Sequence, residues 1–241
     1  MIDFHCHILP GLDDGAQNLD ESLALARQCV EAGVTGVVAT PHGHRSVFDT
    51  LLPQRAQAFR LLEDALKREG LPLKLYPGME YFADGHSVDM AVAHPEILCG
   101  VPDTPNRPLL LEISIDMDLS FVADLLFLAQ LKGVPMVLAH PERYKNFRNS
   151  FALLCELMDK GLVLQFNSED FSKGLFRRTI PNLMLALVDH DPTRVVIGSD
   201  AHHAERRPAG LAVAQSAITK AFGALTWEQV SQKNPAELLG I

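Results

Sequence analysis

The sequence is poor in the features that mark nucleic-acid-binding and disulfide-rich proteins. Its 241 residues include 21 Lys and Arg against 30 Asp and Glu, so the net charge is −9. A nucleic-acid-binding surface is normally basic, and this balance therefore argues against such a partner. The cysteines lie far apart without a CxxC pair, which argues against a zinc ribbon or a disulfide framework and favours free thiols in a reducing compartment. They are Cys6, Cys29, Cys99 and Cys155.

Long hydrophobic runs are also absent. The most apolar stretch, residues 121–131, is interrupted by Asp124 and Gln130 and is too short to span a bilayer. The N-terminus lacks the basic and long apolar regions of a signal peptide. We therefore expect a cytoplasmic protein that does not insert into membranes.

The composition itself is that of an ordinary globular protein, with 47% apolar and 21% charged residues. Most strand candidates are continuous apolar runs, which is typical of parallel strands covered on both faces. The predicted strands are residues 2–4, 36–40, 73–77, 109–113, 135–139, 163–166 and 195–197. The predicted helices lie between Asn18 and Gly33 and over residues 53–69, 120–132, 151–160, 180–188, 208–222 and 227–233.

This alternation predicts a parallel α/β fold in a single domain of residues 1–241, because no linker or repeat divides the chain. The pattern alone leaves two architectures open, an open doubly wound sheet and a closed barrel. The absence of GxGxxG and GxxxxGK(S/T) motifs after a strand weakens the nucleotide-binding open sheet.

Polar residues that suit metal ions follow the predicted strands. In parallel β/α folds the carboxyl ends of the strands face one mouth, where active sites are built. Imidazole and carboxylate groups without a thiolate suit Zn²⁺, Mn²⁺ or Fe²⁺. Unpaired buried carboxylates are costly, so such a collection at one edge is hard to explain without metal. The residues at these ends are His5, His7, His42, Glu80, Glu112, His140, Asn167, Asp200 and His202.

The first two of these candidates, His5 and His7, flank Cys6. The side chains of an extended chain alternate, so both imidazoles are expected on one side and Cys6 on the other. Two such rings can chelate one ion, and Asp200 and Glu80 could complete its ligand shell.

Two arginines stand close to candidate ligands in the sequence, Arg143 three residues after His140 and Arg207 five residues after His202. Guanidinium groups bind phosphate oxygens bidentately, so both are candidates for contacting a phosphoryl substrate. The chain has no Cys-x5-Arg, GxSxG or HExxH motif. Metal-assisted hydrolysis is therefore better supported than thiol or serine chemistry.

The remaining histidines receive plainer interpretations. The tetrad Ala-His-Pro-Glu occurs twice, and only the second follows a buried strand, so His140 is preferred to His94 as a ligand. His44 and His203 lie beside candidate ligands and could contact substrate. His86 and His190 are predicted loop residues.

In their order along the chain, these residues resemble the PHP (polymerase and histidinol phosphatase) superfamily. Within it they resemble the bacterial metal-dependent protein-tyrosine phosphatases linked to capsule and exopolysaccharide synthesis. The resemblance covers essentially the whole chain. Its motifs are Ile2-Asp3-Phe4-His5-Cys6-His7-Ile8, Asp13-Asp14-Gly15, Thr40-Pro41-His42, Gly78-Met79-Glu80, Leu111-Glu112, Ala139-His140-Pro141-Glu142-Arg143-Tyr144, Asn167-Ser168, Ser199-Asp200-Ala201-His202 and Arg207-Pro208.

The resemblance implies a distorted (β/α)7 barrel with three divalent metal ions at the carboxyl ends of its strands, most simply manganese, with iron or zinc as alternatives. Carried over by position, the ligands of the first ion are His5, His7, Glu80 and Asp200. Glu80 also bridges to the second ion, whose further ligands are Glu112 and His140. The ligands of the third ion are Asp14, His42 and His202. Arg143 and Arg207 match the phosphate-contacting arginines.

The implied activity is hydrolysis of phosphotyrosine in a protein, expected to be a bacterial tyrosine kinase that regulates capsular or exopolysaccharide synthesis. One alternative is a small-molecule phosphatase such as histidinol-phosphate phosphatase, which the same superfamily contains. Another is a non-catalytic metal-binding regulator that docks on a kinase. No oligomeric state is predicted.

Overall fold

The computed structural model describes residues 1–172 and 179–241, and in them strands and helices alternate as predicted. The strands are β1 (Ile2–Cys6), β2 (Gly36–Ala39), β3 (His42–Gly43), β4 (Lys74–Pro77), β5 (Glu80–Phe82), β6 (Leu109–Glu112), β7 (Met136–Ala139), β8 (Val163–Asn167) and β9 (Val195–Gly198). The helices are α1 (Leu19–Glu31), α2 (Phe48–Glu69), α3 (Ser87–Ala93), α4 (Ser120–Lys132), α5 (Phe151–Asp159), α6 (Thr179–His190), α7 (Ala212–Phe222), α8 (Ala224–Glu228) and α9 (Asn234–Leu239).

The named strands pair in parallel, in the orders β1–β2–β4 and β3–β5–β6–β7–β8–β9. Two of these strands are interrupted. β3 continues β2 beyond Thr40 and Pro41, and β5 continues β4 beyond Gly78 and Met79. When each interrupted strand is counted once, the described residues form seven strand positions.

The first and last strand positions also meet, which closes the ring. Cys6 of β1 pairs with Ala201, just beyond β9. The backbone N–H of Asp200 donates to the carbonyl of His5 at 2.7 Å, and that of His7 to the carbonyl of Ala201 at 2.9 Å. This arrangement confirms the α/β fold and the distorted (β/α)7 barrel that the resemblance implies.

Alternate strand residues separate two apolar layers, as the period of two requires. The inner layer fills the barrel and contains Phe4, Val38, Tyr76, Leu110, Val137, Val163 and Val196. The outer layer packs under the helices and includes Val37, Leu111, Leu138, Leu164 and Ile197. Burial of both layers holds the strands in register and fixes where their carboxyl ends converge.

Several helix boundaries follow from local capping. Asn18 caps α1 by accepting from the N–H of Glu21 at 3.0 Å, as its sequence predicts. Gly70 and Gly133 end α2 and α4 in the left-handed conformation, each with φ of 66°.

Three predicted helix boundaries were wrong. Helix α2 begins at Phe48, because Pro53 lies inside the helix rather than in its first turn. Helix α7 begins at Ala212 and not at residue 208. The helix predicted at 227–233 is divided between α8 and a wider turn that leads into α9. Helix α3 was missed because its seven residues are too few to show a helical period.

Candidate metal centre

The structure brings the nine predicted metal ligands together at the carboxyl ends of the strands. β1 carries His5 and the chain just beyond it carries His7, while His42, Glu80 and Glu112 lie on β3, β5 and β6. The other candidates lie in segments that follow strands: Asp14 after β1, His140 after β7, and Asp200 and His202 after β9. Within the described residues the donor atoms form four overlapping groups, each within 4.8 Å: His7, Asp14, His42 and His202; His5, His7 and Asp200; His5, Glu80 and His140; and His42, Glu80 and Glu112.

The two histidines of the first motif face each other, with their Nε2 atoms 3.1 Å apart. Nδ1 of His5 lies 2.7 Å from Oε1 of Gln165, and Nδ1 of His7 lies 2.7 Å from Oδ2 of Asp13. Both oxygens are acceptors, so each Nδ1 carries the hydrogen and each Nε2 presents a lone pair. Two lone pairs at this distance repel unless a cation lies between them, and the pair therefore fits a metal ion.

Glu80 occupies the middle of the centre and is 1% exposed. Its Oε2 lies 3.1 Å from Nε2 of His5 and 3.0 Å from Nδ1 of His42, yet has no hydrogen bond of good geometry. Its Oε1 lies 2.7 Å from Nε2 of His140. Burial alone raises the pKa of Glu80, but the surrounding imidazoles of His5, His140 and His42 outweigh it and hold that pKa well below its usual range. A buried, ionised carboxylate with an unbonded oxygen is suited to bridging cations.

Asp200 faces the same cluster with one of its carboxylate oxygens. Oδ1 lies 3.7 Å from Nε2 of His5 and 3.5 Å from Nε2 of His7. The backbone of Asp200 has a φ of 52°, and that of His140 a φ of 32°. Non-glycine residues rarely adopt such values, and they concentrate where the surroundings impose a functional geometry. Two candidate ligands are thus held in unfavourable backbone conformations by the barrel mouth.

The second oxygen of Asp200 holds the two predicted arginines. Oδ2 accepts from Nη1 of Arg143 at 2.8 Å and from Nη2 of Arg207, and Nδ2 of Asn167 donates to it at 2.9 Å. Nε of Arg143 also lies 3.4 Å from Asp170. Both guanidinium groups are partly exposed. They therefore lie within reach of any anion that binds beside the cluster.

A third part of the centre lies nearer the surface. Oδ1 of Asp14 is 3.4 Å from Nε2 of His42 and 3.3 Å from Nε2 of His202. Nδ1 of His202 lies 2.9 Å from the carbonyl oxygen of Asp200 and donates to it, which leaves the lone pair on Nε2, where Nη1 of Arg207 lies 3.2 Å away. Burial, with His7 and Arg207 nearby, lowers the pKa of His202 to about 4. The ring is neutral at physiological pH, as metal binding requires.

The geometric grouping differs in part from the division among three ions that the resemblance implies. His7 belongs both to the group with Asp200 and to the group with Asp14, and His42 lies with Glu80 as well as with His202. The members of the set are the same nine residues. Their assignment to individual ions stays a prediction.

His44 lies outside the cluster. It is exposed, and its Nδ1 is 2.7 Å from the hydroxyl of Ser46. His94 ends α3, and its ring packs 4.5 Å from that of Phe48, away from the centre. The preference for His140 over His94 therefore agrees with their positions.

Sequence reasoning assigned no role to Asp13 and did not consider Gln165. Oδ2 of Asp13 accepts from the N–H of His42 at 2.9 Å besides facing His7, and Oδ1 accepts from the N–H of Gly15 at 2.9 Å. Burial raises the pKa of Asp13, but His7 and these N–H donors outweigh it and lower that pKa to about 2. Gln165 is fully buried on the inner face of β8. The sequence did contain a signal for Gln165: it is a polar residue at an inward-facing position of an otherwise apolar strand.

None of the helices in residues 1–172 and 179–241 has the length and apolar character needed to cross a bilayer.

Comparisons with known proteins agree with the residue pattern. The family described as capsular polysaccharide synthesis, CpsB/CapC, matches residues 1–240. The tyrosine-protein phosphatase YwqE of Bacillus subtilis (strain 168) is 34% identical over 223 residues, which cover 92% of this chain and 85% of YwqE.

Solved structures extend the likeness to the fold. One comes from work on YwqE of Bacillus subtilis and CpsB of Streptococcus pneumoniae, described as unique metal-dependent tyrosine phosphatases. It has a TM-score of 0.86 and 32% identity, covering 100% of this chain and 94% of its own. The histidinol phosphate phosphatase of Lactococcus lactis shares the fold, with a TM-score of 0.61, 14% identity and coverage of 92% and 94%. These likenesses confirm the predicted kinship, and the chain belongs to the CpsB/CapC family.

Proposed function

We propose that this chain is a metal-dependent protein-tyrosine phosphatase. The observation that carries the proposal is the joint position of the overlapping imidazole and carboxylate groups and the two arginines around Asp200. Metal ions and guanidinium groups are the usual partners of a reacting phosphoryl group. The names of the relatives, tyrosine-protein phosphatase and metal-dependent tyrosine phosphatase, support the same activity.

The choice of metal ion follows from the kinds of donor atom that the chain provides. Neutral imidazoles and carboxylates without thiolates suit manganese, and iron or zinc as alternatives. Four overlapping groups of donor atoms, two of which share Glu80, support a polynuclear site, and we propose three ions there as the resemblance implies. The ligands in this proposal are His5, His7, Asp14, His42, Glu80, Glu112, His140, Asp200 and His202.

The chain's own residues prepare and hold the reacting groups. Bound divalent ions would lower the pKa of a water molecule and offset charge on the phosphoryl oxygens. Arg143 and Arg207 donate to those oxygens, and Asp200 holds both guanidinium groups on the side of the cluster where phosphate binds. Asp13 and Gln165 keep the Nδ1 hydrogens of the two facing histidines in place, so that their Nε2 atoms remain available.

The leaving group of a phosphotyrosyl ester is a phenolate, which departs more readily than an alkoxide. The chain therefore needs no strong general acid at the leaving oxygen, and we assign none. His44 stands at the exposed margin of the centre and is proposed to contact substrate.

The family description, capsular polysaccharide synthesis, supports a substrate that acts in that process. A phosphotyrosine-bearing protein in that process requires a tyrosine kinase to produce it, and such a kinase can itself carry the modification. We therefore propose a bacterial tyrosine kinase as the protein substrate, met in the cytoplasm where kinases and ATP are found.

The activity is tested by assaying the purified protein, with its metal content measured, on a phosphotyrosyl peptide and on histidinol phosphate. We expect rapid release of phosphate from the peptide. Substantial release from histidinol phosphate with none from the peptide would favour the small-molecule phosphatase. If the metal-replete protein hydrolyses neither yet binds a kinase, the regulator hypothesis is correct.

Two variants separate metal binding from phosphoryl binding. His5→Ala is expected to lose both metal and activity, whereas Arg207→Ala keeps the metal and loses most of the turnover. Arg206→Ala is the matched control, because Arg206 is an exposed arginine next in sequence. Equal turnover in Arg207→Ala and Arg206→Ala would contradict the assigned role of Arg207.

A further inference from the structure

Strand β5 places an aromatic side chain at the rim of the metal centre. Its three residues alternate in direction. Glu80 points into the centre, and Tyr81 points outward into the buried layer beneath the helices. Phe82 follows on the same side as Glu80, about 6.6 Å farther along the strand. It is 44% exposed, so its ring stands at the mouth rather than in the core.

The strand register gives Phe82 its neighbours. In β6 its partner is Glu112, and residues in register on parallel strands point to the same side. The Glu112 carboxylate lies 3.8 Å from ring nitrogens of both His42 and His140, so Phe82 is next to the centre itself. On the other flank, β3 pairs His42 with Glu80 and Gly43 with Tyr81. The chain then reaches His44, level with Phe82.

The guanidinium groups of both arginines meet at Asp200, which follows β9 on the far side of the ring from β5. Arg143 follows β7, and Arg207 lies in the segment after β9. A phosphoryl group bound by both arginines beside Asp200 would leave its ester group in the remaining part of the mouth, which includes the β3–β5 side where Phe82 stands. That ester group would be the first part of the substrate to meet the ring.

An exposed apolar side chain is by itself ordinary, as Phe127 on α4 shows with 62% exposure. Phe82 differs because its side chain lies on the inner face of the barrel, next to the ionisable groups of the centre. We propose that Phe82 determines specificity for aryl phosphates by packing against the phenyl ring of phosphotyrosine. The proposal rests on the phosphatase function proposed above. Offset or edge-to-face ring pairs provide this kind of attraction.

The test compares inhibitors that share a phosphonate group and differ in the ring. Phenylphosphonate and methylphosphonate are measured as competitive inhibitors of the metal-loaded enzyme. We expect Phe82→Ala to weaken inhibition by phenylphosphonate about tenfold, as the loss of a ring contact predicts. Inhibition by methylphosphonate should be unchanged. For the phosphotyrosyl peptide, KM should rise by a similar factor while kcat changes little. Phe82→Tyr should behave like the unaltered enzyme.

The control is Phe127→Ala, which removes a still more exposed phenylalanine from α4, away from the centre, and should change neither inhibition constant. Equal weakening of both inhibitors in Phe82→Ala, or no weakening of either, would overturn the inference. These results are distinct from a failure of the proposed function, in which the unaltered enzyme would not hydrolyse the phosphotyrosyl peptide at all. Metal content is measured in each variant, so that a disturbed centre is recognised.

Discussion

At the residue scale, candidate ligands are linked to one another by a pair of buried amides. Oε1 of Gln165 faces Nδ1 of His5 at 2.7 Å and accepts from the N–H of His140 at 3.3 Å. Nε2 of Gln165 donates to Asn167 at 2.9 Å, and Asn167 donates in turn to Asp200 at 2.9 Å. A disturbance at Gln165 is therefore transmitted to ligands on three different strand ends.

Gln165→Leu removes the acceptor of His5 while keeping a side chain of similar size. We expect metal affinity to fall by about 10- to 100-fold, because the ring of His5 loses the partner that fixes its tautomer. Affinity is measured by competition with a metal-binding dye, and circular dichroism checks the fold. Gln57→Leu, at an exposed position of α2, is the control and should bind metal normally. Unchanged affinity in Gln165→Leu would show that His5 needs no such partner.

The residues that cluster as candidate ligands were easier to predict from the sequence than the groups that orient them. His5 and His7 were recognisable because their spacing puts both rings on one side of a strand. Asp13 and Asp14 are adjacent in a loop, and only the folded chain shows that Asp13 turns back to His7 while Asp14 faces His42. Identical side chains one residue apart carry no local signal that separates such roles.

At the element scale, the close approach of β9 to β1 shapes the centre. A Cβ atom on Gly198 would lie 2.6 Å from Cβ of His5 and 2.9 Å from Nε2 of Gln165. Glycine at this point lets the two strands meet where the ring closes. The absence of a side chain there is thus part of how His5 is placed.

Gly198→Ala should push His5 away from its partners. Overpacking of a buried site of this kind costs about 2 kcal/mol, and we expect the free energy of unfolding to fall by that amount, with weaker metal binding. Both are measured, by denaturant titration and by metal competition. Gly133→Ala is the control: nothing lies within 4 Å of its added Cβ, and only the φ of 66° is unfavourable. It should lose about 1 kcal/mol and bind metal normally. Equal metal affinity in both variants would contradict the steric argument.

Most elements were predictable because the strands are continuous apolar runs and the longer helices show a helical period. The two interruptions were not, since Thr40-Pro41 and Gly78-Met79 read from the sequence simply as strand ends. Beyond them β3 and β5 resume pairing for two and three residues. Such short pairs are held by their neighbours in the barrel rather than by any propensity of their own, so tertiary packing decides them.

At the scale of the whole molecule, the mouth gathers several carboxylates, of which Asp200 is paired with two arginines while the others face histidines. Asp14, Glu80, Glu112 and Asp200 meet there in a chain whose net charge is −9. Ligands that bind only the folded state stabilise it by mass action. Metal occupancy and thermal stability should therefore rise and fall together.

Removal of metal with a chelator should lower Tm by at least about 5–10 °C, the amount expected for one site filled at a hundred times its Kd, and addition of Mn²⁺ should restore it. Thermal unfolding followed by circular dichroism measures the change. Asp200→Asn provides the comparison, since it weakens the centre and should show a much smaller response to added metal. An equal Tm with and without chelator would show that bound metal does not contribute to thermal stability.

The interrupted strands make the barrel mouth unequal around its circumference. His42 and Glu80 sit on two- and three-residue strands, whereas β8 on the other side has five residues. Pro41 at the first break has no N–H to contribute. Backbone opens most readily where few hydrogen bonds must break together. We expect the backbone of the mouth to open locally on this side. A hydrated ion, or a phosphate group on a folded protein, would then enter preferentially from this direction.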